Sequence, residues 1–462
     1  MLKINNNDTK DKQHKNQILN ELLDNTLSIH ILSDNGLPVS TITEENIVAE
    51  SMTLKQSIVD EENFKFGGCI ASEFDIQLID GENKSFGENL VGKRILVTFS
   101  QEYPIDLYPD PELYPANDLF PARNIQTQTW RLFVGTIDSA KRDKESKYIH
   151  NIVAYDPIAQ LYLSKTNVSN NLYKAMVNNK ATTQELLQLC LNINDYQADD
   201  FEMYSVLQRR NYWWESEKKK NSNSIKITKG ELLRNICEVN CGLGFFRPSE
   251  MAIESPNTNP SSWKVYQGKL RLLNSNDSIH GTEEYDFYES LITDEKFVSN
   301  FDGIIFPYAG VLEDRYKDSD WGNKTGIFDG KLVGVDDDPD ESKNYYDISD
   351  NILAWDYSSN SNNSVGTQEN LEKVVSLYRK LTDIAPKELD YMPITAVLDG
   401  RLWVEVGDTI IIKEPKTDLE GNFKYDSNGN QLFIDIKSRV LSRTLTGIKA
   451  LTDTIEAKGV IL

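Results

Sequence analysis

The sequence predicts an α+β fold that is mostly β, with two small β-barrel domains and intervening α/β domains, discontinuous along the chain. Three observations predict it. Short alternating apolar and polar runs bounded by turn residues fill 27–165 and return over 386–462. Helical spacing of apolar residues is confined to the middle, near 183–191, 228–241 and 370–381. A length of 462 residues suffices for about three domains, each with its own core.

Residues 1–26 are polar apart from a helical patch at 18–23 and read as an N-terminal arm. The first β-barrel domain spans 27–165. Residues 27–33 alternate, and Asp34-Asn35-Gly36 turns the chain. Residues 47–57 read as the next strand. Residues 64–79 read as one long strand in which the pair Gly67-Gly68 marks a bulge or corner. Strands at 94–100, 130–140 and 148–155 complete the set, and repeated short strands of this kind argue a barrel or sandwich. Between them lies a proline-rich loop, 103–123, with Pro104, Pro109, Pro111, Pro115 and Pro121. That density of proline is expected to prevent a regular ladder. The segment reads either as a partner-binding loop or as a stiff surface loop.

Residues 166–275 read as a small α/β domain. A helix is predicted over 183–191, and a second follows Thr228, whose spacing to Glu231 is that of a capping box. Phe245-Phe246 and 268–273 then form a hairpin. Residues 276–385 read as a mixed α/β domain, with a strand at 301–306, an acidic loop at 336–341 and an amphipathic helix at 370–381. Strands return in the second β-barrel domain, 386–462, at 393–398, 402–413 and 431–436. The Asn428-Gly429 pair signals a hairpin turn. A closing strand, with Ile436 and Val440 on one face, leads through a bend at Gly447 into the last strand.

Composition excludes several functions. The net charge is −23, and the basic run Lys218-Lys219-Lys220 is short and reads as a solvated loop, so phosphate-backbone binding is not expected. An acidic surface of this kind repels DNA and would suit the wall of a channel through which DNA slides. No run of about 18 apolar residues is present for a membrane span, and the polar N-terminus lacks the apolar core of an export signal. The four cysteines are Cys69, Cys190, Cys237 and Cys241. The last two fall on one helix face without further ligands at zinc spacing, and they read as buried free thiols from a reducing compartment. His14, His30, His150 and His280 form no metal motif. The carboxylates of 336–341 lack the order of an EF-hand and read as a solvated loop or an adventitious cation site. No phosphate-binding loop or nucleophile elbow is present, and Gly242-Leu243-Gly244 reads as a helix stop. No catalytic, cofactor or metal residues are assigned. Trp213, Trp214 and Trp263 read as core or interface residues, or else as the lining of a sugar site.

Six segments, in order, resemble the tail-hub family of tailed phages, which includes the trimeric central baseplate hub and the N-terminal hub region of siphophage tail-associated proteins. They are Ser51-Met-Thr-Leu-Lys-Gln-Ser57, Phe66-Gly-Gly-Cys-Ile-Ala-Ser-Glu-Phe74, Phe133-Val-Gly-Thr-Ile-Asp-Ser-Ala-Lys-Arg142, Ile152-Val-Ala-Tyr-Asp156, Trp403-Val-Glu-Val-Gly-Asp-Thr-Ile410 and Leu441-Ser-Arg-Thr-Leu-Thr-Gly-Ile-Lys-Ala-Leu-Thr-Asp453. The resemblance implies a structural virion component that assembles as a homotrimer, whose six barrels adapt the six-fold tail tube to a three-fold tip. It implies a distal tail or tail-tube protein on one side and a tape-measure terminus or tip protein near the axis. DNA would pass the channel without specific binding. Many relatives continue into a peptidase, lysin or receptor-binding extension, whereas this chain stops at Leu462, so no appended enzyme is expected. The resemblance assigns no role to the N-terminal arm or the proline-rich loop. Two other readings stay open from the residues: a receptor- or glycan-binding tail component, and a cell-wall-degrading tail enzyme.

Overall fold

The computed structural model describes residues 24–33, 36–58, 67–81, 86, 88–105, 124–163, 183–191, 196–197, 227–240, 242–248, 269–274, 282–285, 288–293, 303–305, 324–328, 331–335, 345–347, 391–418 and 420–461. The first part of the chain forms β1 (Asp24–Leu32), β2 (Pro38–Ile42), β3 (Thr53–Ser57), β4 (Gly68–Cys69), β5 (Glu73–Ile79), β6 (Arg94–Ile105), β7 (Asn124–Arg142) and β8 (Ile149–Tyr155). The middle carries α1 (Pro157–Leu163), α2 (Thr183–Cys190), β9 (Tyr196–Gln197), α3 (Lys229–Asn240), β10 (Gly242–Arg247), β11 (Lys269–Asn274), β12 (Thr282–Tyr285), β13 (Tyr288–Thr293), β14 (Gly303–Ile305), β15 (Lys324–Phe328), β16 (Lys331–Val335) and β17 (Tyr345–Asp347). The last part forms β18 (Tyr391–Asp399), β19 (Thr409–Pro415), β20 (Phe433–Arg439), β21 (Ser442–Thr446) and β22 (Thr452–Ile461). The fold is mostly β, as the alternating pattern predicts.

Alternation along the strands explains which face is buried. Leu27, Ile29 and Ile31 of β1, and Phe74, Ile76 and Leu78 of β5, point inward, with half-buried residues between them. Phe74 stacks on Phe133 of β7 with ring centroids 5.3 Å apart. One sheet takes in most of these strands, in the order β12-β19-β20-β22-β21-β3-β5-β8-β7-β6-β1-β2, with β18 beside β22 and β13 beside β18. Among the described residues this order is a path with two ends, β12 and β2, and does not close on itself. The antiparallel pair β3–β21 joins strands from opposite ends of the chain, placing buried Leu54 opposite buried Leu445. Most buried apolar side chains of 27–154 accordingly form one cluster with those of 396–455.

A second sheet runs β4-β10-β11-β9. Against it lies α3, which also packs on α1 and α2. The capping box of α3 is present: Glu231 N–H donates to Thr228 Oγ1 at 3.1 Å, and Glu231 Oε2 accepts from Thr228 N–H at 2.7 Å. β10 and β11 pair antiparallel, as expected for 245–273.

Five local expectations change. The strand expected over 47–57 is confined to β3, because the chain turns at Glu50, which has φ 54°. The long strand expected over 64–79 divides at its predicted corner, and β4 leaves for the second sheet. The strand expected over 402–413 begins at Thr409; residues before it turn, and Asp408 Oδ2 accepts from Glu405 N–H at 2.9 Å. The closing strand containing Ile436 and Val440 is two strands, β20 and β21, because Val440 bonds instead to Gly407 and Asp408 across the break. The ladder β6–β7 continues into the proline-rich loop as far as Ile105, with Pro104 opposite Ile125. Among the described residues β6 pairs with β1 only as far as Glu102, and a residue without an N–H is tolerated where a strand carries one ladder.

No helix among the described residues is long and apolar enough to cross a membrane.

The join between the two sheets is tight at Gly67. A Cβ there would stand 2.4 Å from the carbonyl oxygen of Cys237 and 2.6 Å from that of Gly242. Both obstacles are backbone, so Gly67→Ala is expected to force α3 outward. It should cost about 1–3 kcal/mol, read as a lowered midpoint in urea unfolding followed by tryptophan fluorescence.

Candidate assembly site

The segments quoted for the resemblance lie far apart in sequence and come together in space. Those at 51–57, 133–142, 152–156 and 441–453 supply β3, β21 and parts of β7 and β8, all within the run β21-β3-β5-β8-β7, whereas that at 66–74 supplies β4, in the second sheet, and the first two residues of β5. The remaining segment, at 403–410, packs on the same region: the Trp403 ring is 6.2 Å from that of Trp130, and Gly407 N–H donates to Val440 O at 2.7 Å.

At the β21 end of this strip the core takes up charge. β21 alternates, and its inward positions are Arg443 and Leu445. Arg443 meets Asp453 of β22 in a bidentate pair, Nε to Oδ1 at 2.7 Å and Nη2 to Oδ2 at 2.8 Å, with both side chains almost fully buried. Its other donors go to the carbonyls of Arg401, at 2.6 Å, and Val404. Burial raises the Asp453 pKa against the pull of the guanidinium, whereas the charge of Asp453 overrides burial at Arg443 and raises that pKa too. Arg401 lies over the Tyr285 ring at 3.9 Å, donates to Glu284 O at 2.7 Å and pairs with Asp399 at 2.9 Å. Together these contacts tie β12 to the turn at 399–404. The Tyr285 hydroxyl is buried without a hydrogen-bond partner among the described residues.

The β21–β22 turn is held by acidic side chains from the other end of the chain. Glu50 accepts from the N–H groups of Ile448 at 2.7 Å and Lys449 at 2.9 Å. Burial opposes these bonds, yet together with the nearby Lys449 charge they draw the Glu50 pKa below its ordinary value. Lys449 Nζ reaches Asp24 at 2.7 Å, Asn25 O at 2.6 Å and Glu44 at 3.2 Å. Gly447 has φ 91°, and a Cβ there would meet Ala450 O and Glu50 Oε2.

Other titratable groups are buried and structural in their contacts. Cys69, Cys190 and Cys237 are free, buried thiols, as read from the sequence, and burial pushes Cys190 up to about 12 and the other two upward as well. Cys69 and Cys237 both flank Gly244, a convergence that sequence spacing does not show. His30 bridges Thr41 and Thr98 at 3.0 Å each, and burial lowers its pKa to about 4. Asp156 precedes Pro157, a helix-start signal carried by the sequence. It caps α1, accepting from Ile158 N–H and Ser72 N–H at 2.9 Å each, and burial raises it to about 7 against those bonds. Among the described residues no group of three or more His, Cys, Asp or Glu could hold a metal ion. Cys241, His14, His280, Lys218 to Lys220, Trp213, Trp214, Trp263, the loop 336–341, the helix 370–381 and the loop beyond Ile105 lie outside the described residues.

No protein-family profile matches the chain, and no curated protein matches it. Several solved structures are similar to it, among them the following three. A 43 kDa tail protein of prophage MuSo2 from Shewanella oneidensis aligns over 94% of this chain and 98% of its own, at 10% identity and a TM-score of 0.44. An E. coli component of the type VI secretion system, described as similar in structure to the T4 tail proteins gp27 and gp5, aligns over 89% of this chain and 74% of its own, at 8% identity and a TM-score of 0.35. A structure of the phage P2 baseplate in its activated conformation aligns over 94% of this chain and 98% of its own, at 11% identity and a TM-score of 0.32.

Arg443→Met strands Asp453 in the core and is expected to cost about 3–5 kcal/mol, whereas Arg443→Met with Asp453→Leu should recover most of that loss. Urea unfolding of both variants checks the contrast. Asp156 carries a pH signature. Its folded pKa lies above the ordinary 3.8, so the folded state holds the proton more tightly. The resulting stabilisation is full below about pH 4 and fades as pH rises through about 7. Asp156→Asn keeps a cap acceptor and removes the titration. The stability of the parent minus that of the variant should therefore fall by at most about 1.4 kcal/mol per pH unit across that window and level off above it, measured by urea unfolding at successive pH values.

Proposed function

We propose that the chain is a structural hub protein of the tail or baseplate of a tailed phage or phage-tail-like particle. The observation that carries the reading is that four of the six resemblance segments fall in one continuous strip of the sheet, with 66–74 entering it at β5 and 403–410 packed against it. In this reading 27–165 and 386–462 are two barrels sharing the β3–β21 seam, and 166–275 and 276–385 are the domains between them. Three copies form a ring that adapts the six-fold tube to a three-fold tip and closes or opens the channel. A distal tail or tail-tube protein lies on one side, and a tape-measure terminus or tip protein lies near the axis. The protein is made in the bacterial cytoplasm, ends in the virion, and performs no catalysis. Its mechanism is positional, and the net charge of −23 lets DNA pass without adhering.

Light scattering of the purified chain over a concentration series is expected to show a species of about three times 52.7 kDa. A monomer at every concentration, alone and with tail partners added, would overturn the ring.

A further inference from the structure

β7 and β8 are joined by a hairpin tip at 143–148 that runs against the charge of the chain. Lys141, Arg142, Lys144 and Lys147 are all exposed there, four cations within seven residues of a chain whose net charge is −23. Among the described residues Lys141, Arg142 and Lys144 have no ion-pair partner, and Lys147 lies over the neighbouring Tyr148 ring at 5.0 Å. Of the two carboxylates in the tip, Asp143 is occupied: it accepts from the N–H groups of Glu145 at 2.7 Å and Ser146 at 3.1 Å. The tip is therefore a shaped turn closed by Asp143 N–H on Ile149 O at 2.8 Å. Beside the cations is apolar surface. Tyr148 is 57% exposed and bonded through its carbonyl to Asp80 N–H, and the adjoining Ile79, opposite Ile149, is 36% exposed.

Unpaired cations around an exposed aromatic ring form a surface for an acidic partner. We propose that this tip docks on the acidic face of a neighbouring copy of this chain. The inference rests on the hub reading. Charge complementarity selects the occupant: each copy carries 72 acidic residues against 49 basic ones, so a second copy offers the opposite sign to the tip. A basic tip on an acidic face is a contact between unlike surfaces, the kind that closes a cyclic ring.

The test mixes unlabelled and ¹⁵N-labelled full-length chain, couples lysine to carboxylate with a zero-length carbodiimide, and maps the products by mass spectrometry. Mixed-label cross-links from Lys141, Lys144 or Lys147 to Asp or Glu are expected. The variant K141E/R142E/K144E/K147E should lose them and associate at concentrations about tenfold higher, with the difference from the parent narrowing in about 1 M salt. Circular dichroism verifies its fold, and replacing the same four residues by Gln serves if reversal unfolds the chain. Association unchanged by the variant would overturn the tip contact and leave the hub reading standing. Absence of any association or mixed-label cross-link in the parent would remove both. Retention of duplex DNA by the parent but not by the variant, with association intact, would assign the tip to phosphate instead.

Discussion

The pairing of β3 with β21 is the contact on which the rest of the structure depends. Without it the sheet breaks between β21 and β3, and strands from the two ends of the chain have no shared ladder. It is also the most non-local pairing of the sheet, so its loop-closure entropy is the largest to be met. Hydrogen bonds of five residue pairs are a modest return for that cost. The contact therefore needs support from side chains around it, and the structure supplies that support on both sides.

Inside, Arg443 and Asp453 set the register. A slip of one residue along β21 would exchange its faces, moving Arg443 outward and leaving Asp453 buried without its partner. Few alternative pairings survive such a loss, whatever the net contribution of the pair to stability. Outside, the turn at 447–450 is gripped by Glu50, Asp24 and Glu44, all from the opposite end of the chain. Each exposed ion pair there is weak alone. The backbone bonds to Glu50 make the grip directional, because only this turn presents adjacent N–H groups to that carboxylate. The positive φ of Glu50 is the conformation that brings its side chain to them.

Local pattern reveals strands and helix starts, and here it placed them well: β1, β5 and β8 alternate as written, and Thr228 with Glu231 caps α3. What it missed depends on distant partners. The stretch 436–446 reads as one strand, yet its buried positions change parity after Val440, where Gly407 and Asp408 claim the backbone. Likewise, the apolar residues near Ile47 look like a strand start, while the grip on the 447–450 turn bends the chain at Glu50. The site fared differently from the fold. The segments of the resemblance were legible one by one. Their convergence was not, because neighbour order in a sheet is a property of pairing that no single strand encodes. The Arg443–Asp453 pair was hidden for a related reason: a charged residue at an inward position reads as an outward one until its partner is known.

Exposed features follow from the same division between local and distant causes. The connection from β19 to β20 repeats an eight-residue pattern, Lys416 to Phe423 and Lys424 to Gln431. In each repeat an Asp side chain accepts from the N–H groups two and four residues on. Two such turns are stable from local bonds alone, which frees Phe423 and Tyr425 from any packing duty; they stand 54% and 57% exposed. The β7–β8 tip is likewise closed by an Asp side chain, Asp143, with Lys141, Arg142 and Lys144 left without an ion-pair partner among the described residues. In a chain carrying −23, copies repel at long range. Association under that repulsion requires local contacts that reverse its sign or bury apolar area. Self-supporting turns are the places where the fold leaves side chains unoccupied for either purpose. The interior, by contrast, commits its charges to one another: Arg443 to Asp453 and Arg247 to Glu405. The buried charges fix β21 against β22 and β10 against the turn before β19, and the exposed ones remain available for contacts outside the chain.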